Sequence, residues 1–190
     1  MKREKTSSGS ERMKILFPAM IGVVFFLFAC HRTGEKQTTY AEDRALIEDL
    51  QARYMFALDY DDLDTYVSLF TEEGILDIGM GEWKGRDSIK YILESIPQEE
   101  NEEADTTLHR TTGRHNISNI VVKIKGDTAW GRAYWFHMSN ENPERRAQLN
   151  SYGHYEDVMV KVNGEWLFSK RKIYNEEIAA WTAPEGNPCW

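Results

Sequence analysis

YGHYEDVMVKVNGEWLFSKRKIY, residues 152–174, decides the fold class. Asn163-Gly164 stands between two runs rich in strand-forming residues, and both turn residues tolerate positive φ. The stretch predicts an antiparallel hairpin, Tyr152–Val162 against Glu165–Tyr174. A second hairpin precedes it: Ile117–Lys125 meets Thr128–Met138 through the turn Gly126-Asp127. The second of these strands carries Trp130, Tyr134, Trp135 and Phe136. A polar loop, NENPERRAQ (140–148), links the two hairpins.

Working back toward the N-terminus, the period changes from two to 3.6. Leu46, Ile47, Leu50, Tyr54, Ala57 and Leu58 fall in one arc and predict a helix over Ala41–Tyr60. DLDTYVSLF (62–70) predicts a short helix, with Asp61 or Asp62 as N-cap and Leu63, Tyr66, Val67 and Phe70 inward. GILDIGMGEWKG (74–85) reads as strand and loop, and Arg86–Ile96 as a third helix with Ile89, Ile92, Leu93 and Ile96 at helical spacing. PQEENEEAD (97–105) is an acidic surface loop. Helices first and antiparallel strands after make an α+β domain, helices on one face of a curved sheet. A chain of 190 residues, 41% hydrophobic and 12% aromatic, suits one such domain.

The first 40 residues do not belong to that domain. Lys14 precedes the apolar stretch ILFPAMIGVVFFLFA, which ends at Cys30 and is too short to span a bilayer comfortably. A basic region, a short apolar region and a small residue before the break make a secretory signal over 1–29. LFAC, residues 27–30, resembles the lipobox of bacterial lipoproteins, which implies lipidation of Cys30 and anchoring in the cell envelope, facing the periplasm. Phe28 is bulkier than that pattern prefers, an uncleaved anchor is the alternative, and Met13 is a second candidate start. His31, where an aspartate would signal inner-membrane retention, favours the outer membrane. Residues 30–40 read as a polar tether, 41–176 as the domain and 177–190 as a tail. Residues 1–29 hold five basic and two acidic side chains, so their removal takes the net charge from −8 to −11. Such a chain repels phosphate backbones, so nucleic acid is not an expected partner. Cys189 alone remains once Cys30 is lipidated, which leaves no intrachain disulfide to form.

The chemistry centres on Asp59, which closes the apolar run Tyr54–Leu58. It lies about 160° from the centre of the helix's apolar arc. Yet Met55 and Phe56, one turn back, make that side apolar too, which would enclose a carboxylate suited to proton transfer. The alternative is a residue that merely terminates the helix. About the turn Gly126-Asp127, positions summing to 253 face each other, so His115 falls near Met138, one step from His137. A bulge would bring the two imidazoles together. His109 is a weaker competitor, His31 sits in the tether, and His154 with Glu156 forms at most an incomplete metal pair. Dinucleotide and Walker loops, G-x-S-x-G, CxxC and HExxH are all missing, so neither a cofactor nor a covalent nucleophile is indicated.

Four segments resemble the SnoaL-like proteins of the nuclear-transport-factor-like superfamily. They are ALIEDLQARYMFALDYDDLDTYVSLFTEEGIL (45–76), WKGRDSI (83–89), RHNISNIVVKIKGDTAWGRAYW (114–135) and GHYEDVMVKVNGEWLFSKRKI (153–173). The resemblance implies a cone-shaped α+β barrel, N-terminal helices closed over a strongly curved antiparallel sheet, with a pocket for a small hydrophobic ligand. It implies a homo-oligomer, dimer or trimer. Members include scytalone dehydratase, bile-acid 7α-dehydratase, ketosteroid isomerase and polyketide cyclases. Compared with the two dehydratases, Asp59 matches a pocket aspartate, Tyr54 a pocket tyrosine and His115 the catalytic histidine. His137 matches a second histidine or an aspartate. Asn175 stands where the bile-acid enzyme carries an arginine, with Arg171 nearby but out of phase. The expectation is a cofactor-independent lyase or isomerase acting on a hydrophobic, oxygenated ring compound. Its alternative is a non-catalytic envelope lipoprotein that binds an apolar ligand or a partner.

Overall fold

The computed structural model describes residues 38–95 and 113–177. The signal segment 1–29, Cys30, His31, the acidic loop 97–105, His109 and Cys189 lie outside the described residues. Helix α1, Tyr40–Asp59, starts at a capping box: the Thr39 hydroxyl accepts from the Glu42 N–H at 3.2 Å, and the Glu42 carboxylate accepts from the Thr39 N–H at 2.7 Å. Beside that cap, buried Asp43 accepts from Thr38 at 2.6 Å and from the Trp166 indole at 2.9 Å, and pairs with Lys161. Asp62 caps α2, Leu63–Ser68, accepting from the Thr65 N–H at 3.0 Å. Then come β1, Phe70–Asp77, β2, Glu82–Lys84, and α3, Arg86–Ser95.

Four long strands follow: β3, Gly113–Lys125; β4, Thr128–Ser139; β5, Gln148–Val162; and β6, Glu165–Asn175. Asn163 and Gly164, at φ 53° and 85°, make the tight turn between β5 and β6. The sheet runs β2-β1-β6-β5-β4-β3. It is open, with β2 and β3 at its edges, rather than closed into a barrel. Four neighbouring pairs are antiparallel, whereas β1 runs parallel to β6, the whole intervening chain serving as the crossover.

The core lies between α1 and the inner sheet face. Ile47, Leu50, Tyr54 and Ala57 of α1 are buried with Ala129, Ala133, Trp135, Tyr155, Met159, Trp166 and Phe168. Two departures from helical periodicity matter. Leu46, placed in the apolar arc, is exposed, and Phe56 is 65% exposed and stacks on Tyr60 instead of enclosing Asp59.

Candidate active site

Asp59 is the last residue of α1, and its side chain is 6% exposed. What buries it is β3, not its own helix. Its Oδ1 and Oδ2 accept the His115 backbone N–H at 3.0 and 3.1 Å, and Oδ1 lies 2.8 Å from His115 Nδ1. One carboxylate therefore fixes both the strand and the ring of His115. An ionised carboxylate only accepts, which assigns the imidazole proton to Nδ1 and leaves the lone pair on Nε2. The helix-terminating alternative for Asp59 is not what the contacts describe.

A bulge delivers the partner. Register holds at a sum of 253 from Lys125↔Thr128 to Val121↔Arg132, then shifts so that Ser118 faces Tyr134. Asn119 and Ile120 oppose a single residue of β4, and Asn119 takes φ 52°, a left-handed conformation asparagine tolerates. Beyond the bulge His115 faces His137 directly, and the rings stack with centroids 4.3 Å apart. Half-buried His137 is held below the usual histidine range by desolvation and by His115, opposed by Asp59. Gly113 makes room for it, since a Cβ there would stand 2.2 Å from His137 Nε2. Trp135, on the same strand as His137, has its ring centroid 6.3 Å from that of His115, and its indole N–H donates to the Tyr174 carbonyl at 3.1 Å. That crossing passes over Gly153, where a Cβ would meet the same carbonyl oxygen at 1.8 Å.

Asp59, His115 and His137 thus come together, while Tyr54 stands apart from them. The step from Trp135 to Tyr155 is 6.0 Å and from Tyr155 to Tyr54 6.1 Å, so two aromatic rings separate Tyr54 from His115. The turn of about 140° between helix positions five apart accounts for this. Tyr54 is fully buried, its hydroxyl 2.5 Å from that of Tyr66. Burial pushes both hydroxyls up, with the charge of Arg171 acting in the opposite direction.

Arg171 itself was missed. It pairs across β5 with Asp157, as Asn175 does with Gly153, so the two share one inward face and Arg171 is in phase with Asn175, contrary to the expectation. It is 0% exposed, with Asp157 and Gln51 as partners. Burial works against its charge, but Asp157 more than offsets this and raises its pKa further. A second bulge hid the pair. Regular pairing about Asn163-Gly164 sets Asp157 opposite Lys170; the shift between Val158 and Met159 sets it opposite Arg171. An aspartate next to the apolar run Val158–Val160 on one strand and three consecutive basic residues on the other was the available signal for the ion pair, though not for the bulge. His154 and Glu156 are engaged separately, His154 with Glu176 at 2.7 Å and Glu156 with Arg132 at 3.0 Å. No group of three candidate metal ligands occurs among the described residues.

The fold is shared with several solved structures. A cystatin-like-fold protein of unknown function from Nostoc punctiforme is 22% identical, with a TM-score of 0.61, covering 74% of this chain and 96% of that one. ActVI-ORFA of Streptomyces coelicolor is 18% identical at TM-score 0.61, covering 72% and 99%. A scytalone dehydratase-like protein of Novosphingobium aromaticivorans is 25% identical at TM-score 0.57, covering 78% and 93%. No curated protein matches the sequence. The SnoaL-like domain model matches residues 39–172, which takes in all three helices and nearly all of the sheet: the chain belongs to the SnoaL-like family.

Proposed function

We propose that this protein is a cofactor-independent acid/base catalyst, a dehydratase or isomerase, acting on a small hydrophobic ring compound that carries oxygen. The observation that carries the reading is the double acceptance of His115 by one buried carboxylate. Asp59 holds Nδ1–H, His115 Nε2 takes a proton from a carbon next to a carbonyl, and the carboxylate offsets the imidazolium charge that forms. The same Nε2–H then returns the proton, to a departing hydroxyl in a dehydration or to another carbon in an isomerisation. His137, kept neutral, stacks on His115 without adding a like charge at the moment the imidazolium appears. The scytalone dehydratase-like neighbour supports the reaction class.

Turnover of cyclic β-hydroxy ketones and of β,γ-unsaturated ring ketones tests the reading, in wild type, Asp59→Asn and His115→Ala. Wild type is expected to turn over at least one of them, with kcat down about 10²–10⁴-fold in each variant and binding retained. Absence of turnover in wild type together with ligand binding that ignores both substitutions would leave a non-catalytic binding protein instead.

A further inference from the structure

A third bulge, in β5, lies beside His137. From Thr128↔Val160 to His137↔Ser151 the paired residue numbers of β4 and β5 sum to 288; at Met138↔Leu149 and Ser139↔Gln148 they sum to 287. Asn150 is therefore the extra residue. An unbroken ladder would hold the sum at 288 and set Leu149 opposite Ser139. Side chains alternate along a strand, so Ser139 shares the inner face with His137, and Met138 between them points to the outer one. Leu149 in that register would stand on the inner face, diagonal to His137. In the structure it faces Met138 instead, and both are exposed, Leu149 at 58%. The bulge thus interrupts the ladder and leaves a leucine in water, and each of these is unfavourable.

One contact favours this register. The Asn150 Oδ1 accepts the Ser139 N–H at 3.1 Å, and Ser139 is buried. Asn119 serves its bulge through a left-handed backbone; Asn150 does not take a positive φ, so what it contributes is the side-chain amide. On the far side of β4, Ser139 faces Gly113, the residue whose missing Cβ admits the His137 ring. Small residues, Gly113, Ser139 and Ser151, thus border His137 where an unbroken ladder would bring a leucine. A local rule broken with no return in stability marks a place where the open space is used. We propose that Asn150 is a positioning residue. Its amide holds β5 in the bulged register, which keeps Leu149 out of the space beside His137 and leaves that space to the ligand of the Asp59–His115 pair. As a statement about catalysis this rests on the acid/base reading; as a choice between two registers it is measured without turnover.

The test is methyl NMR of leucine-labelled protein with a water-soluble gadolinium chelate, which broadens exposed methyl groups, together with a pH titration of the histidine ring signals. Wild type, Asn150→Ala, Asn150→Asp and a deletion of Asn150 are compared. In wild type the Leu149 methyls are expected to broaden strongly. Asn150→Ala removes the acceptor, the ladder closes in the regular register and Leu149 turns inward, so its methyls should lose most of that broadening. Leu149 then adds to the desolvation that already lowers His137, whose pKa should move further down. Asn150→Asp keeps an acceptor for the Ser139 N–H and should keep Leu149 exposed. Deleting Asn150 removes the choice itself. Leu149 then follows Ser151 directly and pairs with Met138 in a regular ladder, so it should stay exposed and His137 should titrate as in wild type. An asparagine of merely structural use would give the reverse order, since losing a strand residue disturbs more than truncating a side chain. For any ring compound that wild type turns over, Asn150→Ala should lower kcat/KM about 10²-fold. Leu149 still exposed in Asn150→Ala, Leu149 buried in the deletion, His137 unmoved by the alanine, or an undiminished kcat/KM each overturns the proposal. Should Asn150→Ala not fold, the deletion decides alone: an exposed Leu149 with wild-type titration of His137 supports it, and any other result overturns it. Should wild type turn over none of the compounds, the acid/base reading fails, while the methyl and titration arms still decide the register.

Discussion

Replacing Asp59 by Asn exchanges one oxygen for an NH2 group and reverses one hydrogen bond. The carboxylate receives two N–H groups from His115; an amide receives one and must donate the other. The imidazole answers by moving its proton from Nδ1 to Nε2, which removes the lone pair the chemistry uses. The expected result is loss of turnover with the fold kept, and 15N spectra that show the Nε2–H tautomer of His115 in the variant. A retained Nδ1–H would remove the orienting role assigned to Asp59. His137 offers a second measurement. Desolvation holds its folded pKa below the ordinary 6.5, so the unfolded chain takes up the proton first as pH falls. Its share of stability is complete above pH 6.5 and declines as pH drops from there through the lowered folded value. Urea midpoints at several pH values should show a shallower acid decline in His137→Gln than in wild type; identical slopes would contradict the shift. Helical phase alone pointed Asp59 at solvent and showed it only as an oddity; its pairing with His115, 56 residues away, was legible only through the family resemblance.

At the scale of elements, two single-residue bulges decide which side chains face inward. Side chains alternate along a strand, so one extra residue reverses every facing beyond it. In β3 the bulge at Asn119 turns His115 toward Asp59; in β6 the shift near Ser169 turns Arg171, rather than Lys170, toward Asp157. The helices, both hairpins and their turns were readable from periodicity and from Asn163-Gly164, since those signals are local. Bulge positions are set by packing across strands and leave only a faint local trace, here an asparagine able to take positive φ. For β3 the need for a bulge could be inferred from two histidines one step out of register, whereas in β6 nothing flagged it. Deleting Asn119 therefore is expected to keep the strand content by circular dichroism while abolishing turnover, because His115 changes face. Asn119→Gly keeps the left-handed backbone and should retain activity, whereas Asn119→Val forces a β-branched residue there and should cost about 1–2 kcal/mol. Activity surviving the deletion would show that the register does not position the dyad.

For the molecule as a whole, the Arg171 cluster ties together three parts of the chain, Gln51 of α1, Asp157 of β5 and Arg171 of β6. Both charged side chains are 0% exposed, so the pair stabilises little beyond its own desolvation, while either charge alone is costly. Arg171→Met leaves Asp157 buried and unpaired, and the expected loss is about 3–5 kcal/mol. A domain of this size has a total stability of roughly 5–15 kcal/mol, so that loss threatens folding at physiological temperature. Arg171→Met/Asp157→Leu removes both charges, and its denaturation midpoint should return most of the way to wild type. If it does, the cluster is not there for stability, and its conformational demand falls on what sits against it, the Tyr54 ring and the Tyr66 hydroxyl bonded to Tyr54. A double variant as unstable as Arg171→Met would instead make the cluster a structural tie between α1 and the sheet, since relieving the lone charge would have recovered nothing.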